Sequence, residues 1–180
     1  MSCLAIALVH HPVLDAQGGV VTSTLTNIDV HDLSRSAKTY GCSDFFVVHP
    51  IEAQRSICAR IVEHWTTGSS SKRIPDRKDA LALVRIVETL DDAVAALGGT
   101  PRIWVTAARE LGSSLSWSDA RRALDDNPRP VLLLFGTSWG LAPEVIAKAD
   151  ACLAPIDGGA GWNHLSVRAA CAIALDRLRG

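Results

Sequence analysis

Short apolar runs alternate with amphipathic segments almost from one end of the chain to the other. The apolar runs are typical of strands buried on both faces of a sheet, and the segments between them repeat apolar residues at helical spacing. The predicted strands are Cys3–Val9, Phe45–His49, Val84–Val87, Arg102–Thr106, Val131–Phe135 and Cys152–Ile156. The predicted helices are Thr26–Tyr40, Ile51–Trp65, Asp91–Leu97, Ser116–Leu124, Leu141–Ala149 and Asn163–Leu178.

This alternation predicts an α/β fold, with a mostly parallel sheet and helices on both faces. No internal repeat or linker interrupts it, so residues 1–180 are predicted to form one domain. Two polar segments, Asp15–Ser23 and Thr66–Lys78, are predicted to be loops, and the second to be mobile. Several helix starts carry capping residues: Thr26 or Asn27, Ser116 with Asp119, and Asn163 for the last helix.

Composition narrows the functional classes. Hydrophobic residues make up 48% of the chain and charged residues 21%, which excludes a disordered protein. Eighteen Lys and Arg against nineteen Asp and Glu give a net charge of −1, so a polyanion would have to be held by a local basic patch. The five cysteines show no CxxC spacing, so we expect neither a disulfide framework nor a metal site. We expect the protein to work in a reduced, cytoplasmic setting. No apolar run approaches the roughly 20 residues of a membrane span, so no membrane partner is expected.

Candidate chemistry lies in the loops that follow the strands, because ligands of open parallel sheets bind beyond the carboxyl ends of the strands. The loop Gly136–Leu141 places two glycines among small residues, where a ligand can approach the backbone, although glycines also serve simply to turn a chain. It lacks the lysine of a phosphate-binding P-loop. A second loop, 154–167, has three glycines in four positions, followed by polar residues at the start of a helix.

The stretch from Thr26 to Ala37 is a third candidate. Arg35 lies off the apolar stripe of its predicted helix and so faces elsewhere. Without other information, a solvated arginine paired with Asp32 or Asp29 is the simpler interpretation.

Taken in order, three segments resemble the motifs of a known family. TNIDVHDLSRSAKTYG, PVLLLFGTSWGL and LAPIDGGAGWNHLSVRAACAI are similar to the three motifs of SPOUT-class RNA methyltransferases, within the TrmH/SpoU branch and its small stand-alone members. The resemblance spans the whole chain. It implies a C-terminal deep trefoil knot, S-adenosylmethionine (SAM) as cofactor, and a ribose 2′-OH of tRNA or rRNA as the methylated group.

The resemblance also implies site residues. SAM would be held by Thr106, Ala107, Leu134, Phe135, Gly136, Gly140, Leu141, Ile156 and Leu165. The implied catalytic residues are Arg35, Asn163 and Ser166. Because a guanidinium has a pKa above about 12, we favour Arg35 as a stabiliser of phosphate or alkoxide over a general base.

RNA contacts are expected from Arg35 and from the basic segment containing Lys72, Arg73, Arg77 and Lys78, although a merely solvated loop explains that segment equally well. The class places its active site at a homodimer interface, where Arg35 would serve the partner's cofactor. A homodimer is therefore expected.

Three positions depart from the branch pattern. Asp29 stands where Asn is usual, Ser138-Trp139 where a Glu is usual, and Trp162-Asn163-His164-Leu165-Ser166 where Ser-Leu-Asn-Val-Ser is usual. These departures leave open an alternative, a SAM- or RNA-binding module without turnover. A flavodoxin-like nucleotide-binding domain is disfavoured, because no glycine-rich phosphate loop follows the first strand.

Overall fold

One parallel sheet of seven strands organises the molecule. The computed structural model describes residues 3–68 and 70–180, and its sheet has the order β5-β4-β1-β8-β6-β9-β7 with every neighbouring pair parallel. Its strands are β1 (Leu4–Val9), β4 (Phe45–Val48), β5 (Val84–Val87), β6 (Arg102–Val105), β7 (Ser114–Leu115), β8 (Val131–Gly136) and β9 (Ala151–Leu153). A separate antiparallel hairpin joins β2 (Val13–Leu14) to β3 (Val20–Val21).

Helices cover both faces of this sheet. They are α1 (Asn27–Thr39), α2 (Glu52–Thr66), α3 (Ser70–Arg73), α4 (Pro75–Leu81), α5 (Leu90–Ala96), α6 (Trp117–Asp126), α7 (Pro143–Ile146) and α8 (Val167–Arg179). Side chains of α1, α6 and α8 pack into one apolar core, and those of α5 and α7 pack into a second core on the opposite face. The α/β prediction is confirmed, and the trefoil knot stays a prediction.

Strand β1 shows why the sheet is buried on both sides. Its continuous apolar run LAIALV sends Leu4, Ile6 and Leu8 into the first core, and the alternate residues into the second. In register, Leu8 lies beside Phe135 of β8 and beside Val47 of β4. Strands β1, β4 and β8 therefore end together at one edge, and the loops that follow them start there.

The segment predicted to be a mobile loop contains two helices, α3 and α4, so that prediction is wrong for residues 70–73 and 75–78; Ser69 lies outside the described residues. Pro75 occupies the first turn of α4, where a missing N–H costs nothing, and Leu81 at its end is buried. The polar composition of the segment hid this amphipathic turn.

Near the carboxyl end of the chain, predicted elements are shorter than expected. The helix predicted over Leu141–Ala149 is only α7, and the strand predicted over Cys152–Ile156 is β9, Ala151–Leu153. The last helix begins at Val167 with Ser166 as its N-cap, so Asn163 is not the cap. Asn163 instead donates its side-chain amide to the carbonyl of Ala108 at 2.8 Å, which holds its segment outside the helix.

Candidate active site at the carboxyl edge of the sheet

Three loops meet at the carboxyl edge of β6, β8 and β9. Thr106 follows β6, and both its backbone N–H (3.2 Å) and its hydroxyl (2.9 Å) donate to the carbonyl of Leu134 in β8. The Asn163 amide contact with Ala108 ties the loop after β9 to the loop after β6. The rings of Trp139 and His164, 6.2 Å apart, join the loop after β8 to the loop after β9. These two loops, which the sequence singled out, therefore lie beside the loop after β6, as the strand-end rule predicts.

Close backbone packing explains the first glycine of the loop after β8. A Cβ on Gly136 would lie 2.7 Å from the backbone nitrogen of Leu141 and 3.0 Å from the carbonyl carbon of Gly140. Gly140 itself has a φ of +104°, which favours glycine, and Ser138 holds a positive φ of +55°. The loop is thus folded tightly back on itself, with Ser138 in a conformation that only a few per cent of non-glycine residues adopt.

The hairpin strand β2 supports the same loop from outside. Leu14 donates its N–H to the carbonyl of Gly140 at 2.9 Å and accepts one from Trp139 at 3.0 Å, and Ala142 donates to Pro12 at 3.1 Å. The loop predicted over Asp15–Ser23 therefore contains strand β3 of this hairpin. Its alternating Val-Leu and Val-Val pairs around Gly18-Gly19 were the signal for a hairpin.

A buried polar network underlies the loop after β8. The hydroxyl of Thr137 donates to the carbonyl of Val9 at 3.1 Å and hydrogen-bonds the hydroxyl of Ser23, whose oxygen lies 2.9 Å from Nδ1 of His10. Because the Thr137 hydrogen goes to Val9, the Ser23 hydroxyl must donate to Thr137, and His10 Nδ1 must carry a hydrogen and donate to Ser23. The other ring nitrogen, Nε2, is buried without a hydrogen-bond partner among the described residues, so burial favours the neutral ring, in which Nε2 is an acceptor.

Burial explains the chemistry of that imidazole. Burial and, to a smaller extent, the neighbouring His49 lower the pKa of His10 to about 4. Sequence reasoning missed this group, although the polar run His10-His11 directly after an apolar strand was a visible signal.

The residues predicted to bind SAM surround this edge. Leu134, Phe135 and Leu141 are buried beneath it, and the remaining six are at least partly exposed: Thr106, Ala107, Gly136, Gly140, Ile156 and Leu165. Leu165 leaves 41% of its surface exposed. Gly136 and Gly140 lack Cβ atoms, and Ile156 and Leu165 are apolar side chains of the loop after β9. Their chemistry suits the flat adenine of SAM, and their binding role stays a prediction.

Arg35 lies on a different surface, in an open groove of about 420 Å³ between α1 and α8. Its guanidinium is exposed and has no ion pair or hydrogen bond to a described residue. Arg35 is thus solvated, as the simpler interpretation expects. The expected pairing is wrong, because Asp29 and Asp32 instead lie 3.5 and 3.7 Å from Arg168 of α8. Arg168, which lines the groove beside Arg35, was missed because its partners are more than a hundred residues away.

The other predicted catalytic residues make structural contacts. Ser166 accepts a hydrogen bond from the backbone N–H of Ala169 at 3.2 Å and caps α8. Asn163 holds Ala108, as described above. Both contacts place the residues at the rim of the three loops and leave their catalytic roles as predictions.

The basic residues of α3 and α4 form a separate surface. Lys72, Arg73 and Lys78 are exposed, while Arg77 lies over the ring of Trp65 with its guanidinium carbon 4.5 Å from the ring centroid. Helix α4 packs against α1, the helix that carries Arg35. The structure therefore keeps these cations near one helix but does not bring them to the carboxyl edge.

Comparison with known proteins decides the family. Residues 3–180 match the model of a family described as SAM-dependent RNA methyltransferase. The chain belongs to this family. SAM is accordingly its cofactor.

Related proteins agree with this assignment. A tRNA (guanine-N(1)-)-methyltransferase from Oleidesulfovibrio alaskensis is 42% identical over 181 residues, covering 98% of this chain but 42% of its own length. The chain thus spans about two-fifths of the length of that relative. Its name describes the longer protein.

Solved structures show the same fold in other methyltransferases. A probable methyltransferase from Bordetella pertussis Tohama I has a TM-score of 0.66 at 19% identity, covering 99% of this chain and 95% of its own. A structure described as giving insight into the 2-OH methylation of C/U34 on tRNA has a TM-score of 0.60 at 20% identity, covering 98% and 94%.

Among the described residues, no helix is both long and apolar enough to cross a membrane. These residues also contain no cluster of three or more His, Cys, Asp or Glu side chains placed to hold a metal ion.

Proposed function

We propose that this methyltransferase transfers the methyl group of SAM to a ribose 2′-OH of tRNA, with rRNA as the other candidate. The observation that carries the proposal is the contact between the three family motifs. The rings of Trp139 and His164 join the second motif to the third at the carboxyl edge, and Arg168 of the third motif contacts Asp29 and Asp32 of the first, in the groove that Arg35 lines. The relative named for tRNA and the fold neighbour described by 2-OH methylation support the substrate class.

The backbone at Gly136 and Gly140 and the apolar side chains of Leu141, Ile156 and Leu165 would hold the cofactor, with Thr106 and Ala107 forming another wall. Bound SAM supplies a methyl group already activated by its sulfonium, so the protein has little covalent chemistry to perform. The work of the chain is to align an in-line attack and to exclude water. The hydrogen bonds that fix the loop after β8 to β2 would help to keep the bound cofactor aligned.

Arg35 would act on the substrate. A guanidinium stays charged at any working pH, so it serves better as a partner for a phosphate or a developing alkoxide than as a proton acceptor. The position of Arg168 strengthens this role, because Arg168 occupies Asp29 and Asp32 and so leaves Arg35 available to an anion.

A homodimer is part of the proposal. Residues Ala169 and Ala172 of α8 are half-exposed small side chains that line the groove with Arg35, which suits close approach of a second chain. Two chains would also double the number of cations offered to RNA by a protein whose net charge is −1. A cytoplasmic location, supported by five cysteines that are all free, completes the proposal.

The experiment combines transfer of labelled methyl from SAM to total RNA of a deletion strain with nucleoside mass spectrometry. We expect a 2′-O-methylnucleoside in tRNA that is lost in the deletion strain and restored by the protein. A methylated base, such as 1-methylguanine, would replace the ribose assignment, and SAM binding without transfer to any RNA would support the binding-module alternative.

Arg35 is tested in the same assay. We expect Arg35→Ala to lower methyl transfer at least tenfold with SAM affinity unchanged, while Arg121→Ala, which removes an exposed arginine of α6, leaves transfer intact. Full activity of Arg35→Ala would show that its role is assigned wrongly. Analytical ultracentrifugation checks the dimer, which a monomer at micromolar concentration would contradict.

A further inference from the structure

Two tryptophans and a histidine form an exposed aromatic surface at the carboxyl edge. Trp139 is 63% exposed and Trp162 is 72% exposed. The ring of His164 lies between them, with its centroid 6.2 Å from that of Trp139 and 5.9 Å from that of Trp162. We call Trp139, Trp162 and His164 the aromatic platform.

The other tryptophans of the chain are covered by protein. Trp104 is 2% exposed, and Trp65 and Trp117 are partly buried, each beneath a guanidinium, that of Arg77 or of Arg177. Leaving two large apolar rings in water forgoes the gain that burying them would bring, and such patches mark binding surfaces. The aromatic platform is therefore a candidate binding surface.

The backbone holds both tryptophans in place. The N–H of Trp139 donates to Leu14 of the hairpin at 3.0 Å, and Trp162 precedes Asn163, whose amide is bonded to Ala108 at 2.8 Å. The rings are thus presented from fixed loops, and little ordering is needed when a ligand binds. The same two loops carry Gly140 and Leu165, which are predicted to hold SAM.

We propose that the aromatic platform stacks an unpaired nucleobase of the RNA substrate next to the SAM site. Proteins recognise RNA chiefly through unpaired nucleotides, whose bases stack on aromatic side chains irrespective of sequence. A chain with a net charge of −1 has little general attraction for phosphates, so contacts with bases gain weight. This inference rests on the proposed function for its choice of RNA as occupant.

The test uses a 12-residue oligouridylate and unmodified tRNA as probes. For Trp139→Ala and Trp162→Ala, we expect the Kd for the oligonucleotide and the KM for tRNA to rise on the order of tenfold each, with the Kd for SAM unchanged. Trp139→Phe and Trp162→Phe should stay within about threefold of the native protein, because a phenyl ring still stacks. In the native protein, the oligonucleotide should also shield tryptophan fluorescence from acrylamide.

The control variant is Ile51→Ala, which removes an exposed apolar side chain that is not part of the platform and should change none of these constants. Unchanged Kd and KM in both alanine variants of an active enzyme would overturn the platform alone. Loss of a native dimer in those variants would also overturn it, because the rings would then be a contact between subunits. Oligonucleotide binding that depends on the tryptophans without any methyl transfer would leave the platform standing and overturn the proposed function.

Discussion

The imidazole rings of His10 and His49 lie 5.0 Å apart, centroid to centroid, inside the carboxyl edge of the sheet. His49 accepts the N–H of Ile51 on Nδ1 at 3.2 Å, so its Nε2 carries the hydrogen and donates to the carbonyl of Ser23 at 3.0 Å. Nδ1 of His10 also bonds Ser23, at the hydroxyl oxygen of the serine. His49 is therefore neutral, and burial keeps His10 neutral above its lowered pKa. A proton on either ring would place a charge in a buried site beside the other.

The first prediction concerns pH. Burial, with a smaller effect of His49, lowers the pKa of His10 from 6.5 to about 4, so the unfolded chain takes up a proton between these pH values and the folded protein does not. The stability that His10 contributes is complete above pH 6.5 and is lost as the pH falls towards 4, by about 3 kcal/mol in total. Burial lowers the pKa of His49 too, which acts in the same direction.

Urea unfolding at several pH values between 7 and 4.5 measures this effect. In His10→Asn, whose amide can still bond Ser23, we expect the free energy of unfolding to fall less steeply with decreasing pH. His164→Asn replaces an exposed imidazole and should retain the native pH dependence. An unchanged slope in His10→Asn would show that another group governs acid sensitivity.

The second prediction concerns Gly136. In Gly136→Ala the new Cβ would lie 2.7 Å from the backbone nitrogen of Leu141 and 3.0 Å from the carbonyl carbon of Gly140. These two backbone atoms cannot easily move, because β2 is hydrogen-bonded to the carbonyl of Gly140. We expect the free energy of unfolding to fall by about 1–3 kcal/mol, as in other overpacked sites, and SAM affinity to fall with it. Urea unfolding and isothermal titration with SAM measure the two effects.

The control for this change is Gly158→Ala. A Cβ on Gly158 would have no heavy atom within 4 Å, so the free energy of unfolding should change by less than about 0.5 kcal/mol. Equal stability of Gly136→Ala and the native protein would mean that the loop relaxes, and that the glycine is not needed for packing.

Local signals in the sequence were enough to predict much of the fold. Thr26 accepts the N–H of Asp29 and caps α1, and Ser116 does the same for Asp119 and α6, because a cap depends only on residues three positions apart. The buried strand Val131–Gly136 was equally visible as an unbroken apolar run.

Contacts between distant parts of the chain could not be predicted in this way. The bond between Ser23 and Thr137 joins residues 114 positions apart, and no periodicity signals it. The ion pair between Arg168 and Asp29 also joins distant residues, and it takes up an acid that was expected to pair with Arg35. Resemblance and strand-end position were enough to predict a candidate site, whereas the hydrogen bonds around it required the structure.

The third prediction separates two roles of Ser166. As the N-cap of α8, it should be replaceable by Asp, whose carboxylate also accepts the N–H of Ala169, whereas Ser166→Ala should cost about 1 kcal/mol of stability. Thermal unfolding together with methyl transfer distinguishes the roles. If Ser166 only caps the helix, Ser166→Asp keeps both stability and activity; if its hydroxyl also positions substrate, Ser166→Asp stays folded but loses activity.

The fourth prediction is that Arg168 keeps Arg35 free. Removing the guanidinium in Arg168→Ala leaves Asp29 and Asp32 without their cation, and Asp32 lines the same groove as Arg35. Because the ion pairs are long and partly exposed, we expect stability to fall by less than about 1 kcal/mol. Methyl transfer should fall by more than this small loss of stability can explain, since Asp32 then competes with RNA for Arg35.

Two further variants, a matched control and a rescue, test whether Arg168 acts by occupying the acids. Arg122→Ala also removes one arginine from an ion pair, with Asp119 on α6, and should leave methyl transfer unchanged. Adding Asp32→Asn to Arg168→Ala removes the competing carboxylate and should restore most of the lost activity, seen as a return of KM for tRNA. If the double variant is no more active than Arg168→Ala, Arg168 acts on the substrate directly and not by occupying the acids beside Arg35.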